Sequence, residues 1–268
     1  MAVLSAAQLQ AKNLLNSIGL EEITNMDIKL FASGLGAVVV EEDMNRCEGR
    51  FIPGPKISVI KVSSSIKSMA RKRFVIAHEI GHLIMHKDIK VPDDNFYNFN
   101  LIEGIEDFVK FGPHEVEANE FAGELLMPTH LFEKEARGKT FGPQLIKDLA
   151  TRFQASLTAV LHKYVKSEIS PVCIMQVTDG KLQYWKKTST MKVWLEPGIT
   201  QLPPPSDSFA MEYVRNRYAY NSYWEEKTRK IKRTTWFGLV GRQEDTDFFE
   251  YAIPTKDHKS VLSVVWED

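Results

Sequence analysis

Residues 73–86 read RFVIAHEIGHLIMH, an apolar run carrying His78, His82 and His86 at four-residue intervals, with Glu79 directly after the first. On a helix, residues four apart lie one turn above each other on one face. His78 and His82 can therefore aim two imidazoles at one ion while Glu79 stands beside them. This H-E-x-x-H pattern supplies two zinc ligands and a general base. Zinc (Zn2+) suits hydrolysis because it has no redox chemistry and lowers the pKa of its water to about 7. A catalytic zinc site needs a third protein ligand, with the fourth position left for water. A metzincin would place that ligand six residues after His82 and a glycine three after it, but those positions hold Asp88 and Met85. His86 is eight residues from His78, about 12 Å along a helix. That is too far to share an ion with both others, so His86 is read as a supporting or packing residue.

The remaining source is a carboxylate on a second helix, and PHEVEANEFAGELLMP (113–128) supplies one. Glu115 and Asn119 are one turn apart. The glutamate can bind the ion, and the Asn119 amide can hold a ligand histidine through its other ring nitrogen, fixing tautomer and aim. Glu117, rotated to a different face, is the alternative third ligand, and His114 is a further candidate. Ala118 and Ala122 are small enough to let this helix lie close to the first, where Gly81 also leaves room. A glycine inside a helix costs roughly 1 kcal/mol against alanine, which points to a packing demand there.

The segment ISVIKVSSSIKSMARKRFVIAHEIGHLIMH, followed by EVEANEFAGELLMP, resembles the ImmA/IrrE family of zinc metallopeptidases. The shared pattern is an I-x-V strand, a basic approach, R-F-x-x-A-H-E-x-G-H-x-x-x-H, then E-x-E-A-N-x-F-A-x-x-L-L-M-P. It covers about residues 50–130 and extends to about 165. The resemblance implies a gluzincin-like site: His78 and His82 as ligands, Glu79 as base, and a glutamate of the EVEAN block as third ligand. It also implies a helix-turn-helix-like segment after LLMP, where LIKDLATRFQASLTAVLHKYV (145–165) lies. In some members a C-terminal domain of GAF-like fold follows. The family's activity implies site-specific cleavage of a protein regulator, such as a helix-turn-helix repressor or an antitoxin.

The elements that must position these residues can be read from periodicity and punctuation. Ser5 with Gln8 is a capping box opening a helix that Gly19 ends. Asp27 caps a short helix. AVVVEED and ISVIKV read as strands around a Gly- and Pro-rich turn, with ISVIKV offering an exposed edge on which an extended peptide could add as a strand. Ser63 to Ser65 cap the H-E-x-x-H helix. Residues 87–112 lack periodicity and read as a long loop with one helical turn near 102–108; Tyr97 there is a candidate oxyanion donor. A helix follows Pro113, Thr129 caps another, and 143–153 with 156–167 form a helical pair. After Ser170 the texture becomes strand-like: a hairpin around Asp179-Gly180, a linker at 195–208, a helix at 209–220, and strands at TTWFGLVG, FFEYAIP and SVLSVVWED. The expected fold class is α+β: a zincin-like peptidase domain with a small sheet (1–140), a helix-turn-helix-like connector (141–168) and a C-terminal α+β, GAF-like sensor domain (169–268).

With 268 residues and a formal net charge of −1, the chain has no overall field drawing it to nucleic acid or membrane. Its two cysteines, Cys47 and Cys173, are far apart and form no ligand spacing, which suits a reducing compartment. The opening MAVLSAAQLQ has no secretory pattern and no segment reaches the ~20 apolar residues of a bilayer span, so a cytoplasmic protein is expected. Lys147, Arg152, His162, Lys163 and Lys166 lie on the helical pair. Few fall where a recognition helix presents its N-terminus, so a structural or substrate-docking role is favoured over DNA binding. The run KTRKIKR (227–233) is read as a solvated face, and the five tryptophans as core packing over a ligand pocket. Oligomeric state has no sequence signature here. Two functions remain: a zinc metalloendopeptidase acting on a regulator, or a non-catalytic regulatory, DNA- or ligand-binding protein with a structural zinc. The intact Glu79 favours the first, since a structural site needs no base.

Overall fold

A computed structural model describes residues 4–44, 47–87, 112–195, 198–217, 228–239, 241, 244–255 and 259–267. The expected loop turn at 102–108, Tyr97 and Trp224 lie outside these residues. Two compact units form, one from 1–137 with 147–160 and one from 138–146 with 161–268.

The first unit opens with helix α1 (Ala6–Ser17), closed by the reciprocal capping box of Ser5 and Gln8, and α2 (Ile28–Gly34), capped by Asp27. Strands β1 (Ala37–Glu42), β2 (Gly49–Ile52) and β3 (Ser58–Ser63) form a sheet in the order β1-β3-β2. β1 runs parallel to β3 from Ala37↔Ser58, and β2 runs antiparallel to it from Gly49↔Val62. This corrects two expectations. The ISVIKV strand is central, not an edge, and GRFI, read as part of a turn, is a strand on the outside. Four residues bounded by glutamate, proline and glycine are too few for alternation to register in the sequence.

Helix α3 (Met69–Met85) carries the H-E-x-x-H residues. Its cap is Ser68, whose Oγ accepts from the Arg71 N–H; Ser63 instead bonds Ser65 in a local turn. Helix α4 (Pro113–Leu126) begins with proline at its first position, where a missing N–H is harmless. Helix α5 (Thr129–Ala136) follows Pro128. Thr129 does not cap it with its own side chain: its N–H and hydroxyl both donate to the buried Glu124 carboxylate. Helices α6 (Pro143–Phe153) and α7 (Leu157–Lys166) complete the helical stretch. The core joins Ile60 and Val62 of β3, Val75, Ile76 and Ile80 of α3, and Phe121, Ala122 and Leu125 of α4, all at most 1% exposed. Each large side chain among them contributes about 1.5–3 kcal/mol by burial.

The second unit is built on a five-stranded antiparallel sheet, order β5-β4-β8-β7-β6, from β4 (Cys173–Thr178), β5 (Lys181–Lys187), β6 (Arg229–Lys232), β7 (Asp247–Thr255) and β8 (Ser260–Glu267). The β4–β5 hairpin turns at Asp179 and Gly180 with φ of 49° and 75°, the paired positive angles of a two-residue turn matched to strand twist. Helix α8 (Phe209–Arg215) packs on the sheet, its first turn capped by Ser208. The expected TTWFGLVG strand begins instead as a helical turn, α9 (Arg233–Trp236), and KTRKIKR contains β6. There Lys230 and Lys232 pair with Asp247 at 2.8 and 2.7 Å. Trp236 and Trp266 are buried, while Trp194 is exposed. Among the described residues no helix is long and apolar enough to cross a membrane, and neither Cys47 nor Cys173 forms a disulfide.

Candidate metal centre

Helix α3 sets His78 and His82 one turn apart on the face that meets α4. A Cβ on Gly81 would lie 3.1 Å from the Ala118 Cα and 3.3 Å from its carbonyl oxygen, so the missing side chain is what brings the two helices together. That approach carries Glu115, one turn before Ala118, onto the histidine pair. His78 Nε2 and His82 Nε2 are 3.0 Å apart, Glu115 Oε2 is 3.1 Å from the first, and Glu115 Oε1 is 3.3 Å from the second. All three side chains are buried. Donor atoms around a tetrahedral ion with bonds of about 2.0–2.1 Å sit roughly 3.3 Å apart, which this triangle matches. Glu117, the other glutamate, turns to a different face and meets His86.

The hydrogen-bond partners fix where the ring protons are. Asn119 Oδ1 lies 2.9 Å from His78 Nδ1, and an amide oxygen only accepts, so Nδ1 carries a proton and the neutral form of the ring presents its Nε2 lone pair. Glu117 Oε2 lies 2.9 Å from His86 Nε2 and likewise accepts. Burial holds the His86 ring below its ordinary pKa, against the pull of Glu117, so the ring is neutral and its Nδ1 is bare. His82 Nδ1, 3.0 Å from that atom, must then donate to it, and the neutral form of this ring likewise presents its Nε2 lone pair. Two imidazole lone pairs and a carboxylate thus converge in a buried space. Among the described residues no hydrogen-bond donor reaches Glu115 Oε2. Three electron-rich groups at this spacing repel unless a cation lies among them, and an imidazole–carboxylate set fits zinc.

Glu79 stands next to this triangle. Burial raises its carboxyl to about 7, and the charge of Glu115 adds to the rise; the Phe51 N–H and Arg50 oppose it. A base poised near neutral pH suits proton transfer. The Phe51 N–H comes from β2. Ser63 N–H bonds the Glu48 carbonyl on the β3 side, so alternate residues Gly49 and Phe51 turn their backbone groups to the free edge, where Glu79 lies. Gly49 is what admits the carboxylate: a Cβ there would fall 2.5 Å from Glu79 Oε1 and 2.5 Å from Val75 Cγ1.

The structure therefore gathers His78, His82 and Glu115, sets Asn119 and His86 behind the two rings, and holds Glu79 beside them. Gly49 and Phe51 were missed by sequence reading; a lone glycine between charged residues gave no signal, and a backbone N–H has none. His114 lies beside His86 and Glu117, ring centroids 4.6 Å from His86, away from the triangle. Of the basic residues on the helical pair, His162 and Lys163 are buried.

Comparison with known proteins gives two findings. The profile of the M78 peptidase family, described as an IrrE N-terminal-like domain, matches residues 32–164. A solved structure described as a Mycobacterium tuberculosis transcriptional regulator is similar in fold, with a TM-score of 0.53 and 13% identity, covering 97% of this chain and 76% of that one. No curated protein matches the chain.

Proposed function

Residues 32–164 belong to the M78 peptidase family, and from that premise we propose that this chain is a zinc-dependent metalloendopeptidase that makes site-specific cuts in a protein regulator. The observation that carries the reading is the buried triangle of bare donors with a raised carboxyl beside it. His78, His82 and Glu115 would hold the ion; Asn119 and His86 keep the two rings in the required tautomer. When bound, zinc would act as a Lewis acid and lower the pKa of a water. Glu79, held by the Phe51 N–H, takes a proton from the attacking water and passes it to the leaving amine. An extended substrate would lie along the free edge of β2, where the outward backbone groups of Gly49 and the Phe51 carbonyl offer strand pairing next to Glu79.

The substrate class we propose is a helix-turn-helix repressor or an antitoxin. The five-stranded antiparallel sheet of the C-terminal region is compatible with a GAF-like sensor that would control the cut. A second reading, a regulator without catalysis, draws support from the description of the similar M. tuberculosis structure. Glu79 separates the two, because a structural ion needs no adjacent base. Co-expression with a helix-turn-helix protein encoded beside this chain tests the proposal. The wild type should cut that partner, and Glu79→Gln should cut it roughly 100- to 10,000-fold more slowly while retaining zinc. Equal cutting by the two would overturn the peptidase reading.

A further inference from the structure

A second group of ligand atoms lies outside the triangle. His86 Nε2 is 2.9 Å from Glu117 Oε2, and His114 Nδ1 is 3.6 Å from the same oxygen. The three residues offer ligand atoms within 4.8 Å of one another. His86 is buried, whereas the side chains of His114 and Glu117 are 37% and 47% exposed, so the group opens to solvent. His114 Nδ1 is itself buried and, among the described residues, has no hydrogen-bond partner, although the rest of its ring is partly exposed. A buried ring nitrogen beside a carboxylate oxygen and a second imidazole is a donor set suited to a borderline-soft divalent cation.

We propose that His86, His114 and Glu117 form a second, weaker divalent-cation site that opposes the first. The opposition follows from one shared proton and rests on the proposed ligation by His82. His82 Nδ1 and His86 Nδ1 are 3.0 Å apart, and only one proton fits between them. With His82 Nε2 on the inner ion, His82 Nδ1 keeps the proton and His86 Nδ1 accepts it. His86 Nε2 then carries a proton, which it donates to Glu117. A cation in the outer group needs that Nε2 bare, which moves the proton to His86 Nδ1 and sets two N–H groups head to head. Each ion therefore weakens the other, and excess cation acts as a brake by loosening the support behind His82.

Binding of Zn2+ alone to the full chain, followed by equilibrium dialysis in zinc buffers, tests this. The wild type should take up about two ions in separate steps and His114→Ala about one, the tighter step retained, because His114 lies outside the triangle and meets it only through the His86 ring. Coupling is reciprocal, so emptying the inner site should strengthen the outer one. In His78→Ala, or in Glu115→Gln should that variant fold poorly, the remaining site should bind roughly 10- to 100-fold more tightly than the second step of the wild type, the size of a lost ligand support. Equal stoichiometry in wild type and His114→Ala overturns the outer site. An outer affinity indifferent to His78→Ala and Glu115→Gln overturns the opposition. Loss of the tight step from the wild type would instead sink the inner site and the function built on it, an outcome distinct from both.

Discussion

Glu115 in the first unit and Glu250 in the second are buried to a similar degree, 4% and 0% exposed, yet they face opposite surroundings. Glu250 Oε2 accepts from the Phe209 N–H at 2.7 Å, and Oε1 accepts from the Ala210 N–H at 3.1 Å and the Ser263 hydroxyl at 2.6 Å. Its carboxylate ties the start of α8 to β7 and β8. Glu115 meets two bare ring nitrogens. A buried carboxylate surrounded by donors is a structural fastening; one surrounded by lone pairs is half of a binding site, complete only with a cation. Burial and residue type are the same in both places, so the neighbouring protons decide the role.

The comparison is broken first at Glu250. Glu250→Ala strands two backbone N–H groups and a hydroxyl in the core, and thermal unfolding should show a loss of about 3 kcal/mol that added zinc does not repair. No loss would mean that water or a shifted side chain serves those donors, and the fastening role would fail. Gly49→Ala sharpens the contrast inside the first unit. Its Cβ displaces Glu79 while leaving the triangle alone, so cleavage of the partner should fall roughly 100-fold, as for a base misplaced by about 1 Å, with zinc affinity unchanged. A variant as active as the wild type would show that β2 does not set the base.

The smallest effect is on pH dependence. Burial raises the Glu250 carboxyl above its ordinary value, against its donors. A carboxyl whose folded pKa lies above its unfolded one adds stability below the unfolded value and loses it as pH rises through the folded one. Glu250→Gln removes that titration. The midpoint of wild type minus that of Glu250→Gln should therefore shrink as pH rises from the unfolded carboxyl range towards neutral. A difference that grows with pH would contradict the sign.

The H-E-x-x-H helix and the carboxylate helix were legible because their ligands sit at one-turn spacing within long apolar periods, and Gly81 and Ala118 marked the close approach. The choice between Glu115 and Glu117 was not legible: two residues apart, they point to different faces, and only the rotation of α4 against α3 selects one. The edge strand was lost because four residues carry no period, and with it went the role of Gly49, which acts by what it lacks. In the second unit TTW has strand propensity, yet it turns helical, with Thr235 and Trp236 buried in that unit's core, since packing there overrides local preference.

The most direct test is the thermal midpoint of the full chain stripped by a chelator, wild type against Glu115→Gln, each with and without equimolar zinc. The wild type should fall on stripping and recover with zinc, by about 4 kcal/mol when free zinc exceeds its Kd about a thousandfold. Stripped Glu115→Gln, freed of a buried uncompensated charge, should be at least as stable as the stripped wild type and respond far less to zinc. A wild-type midpoint indifferent to zinc, or an equal response from Glu115→Gln, would contradict a cation held among those three side chains.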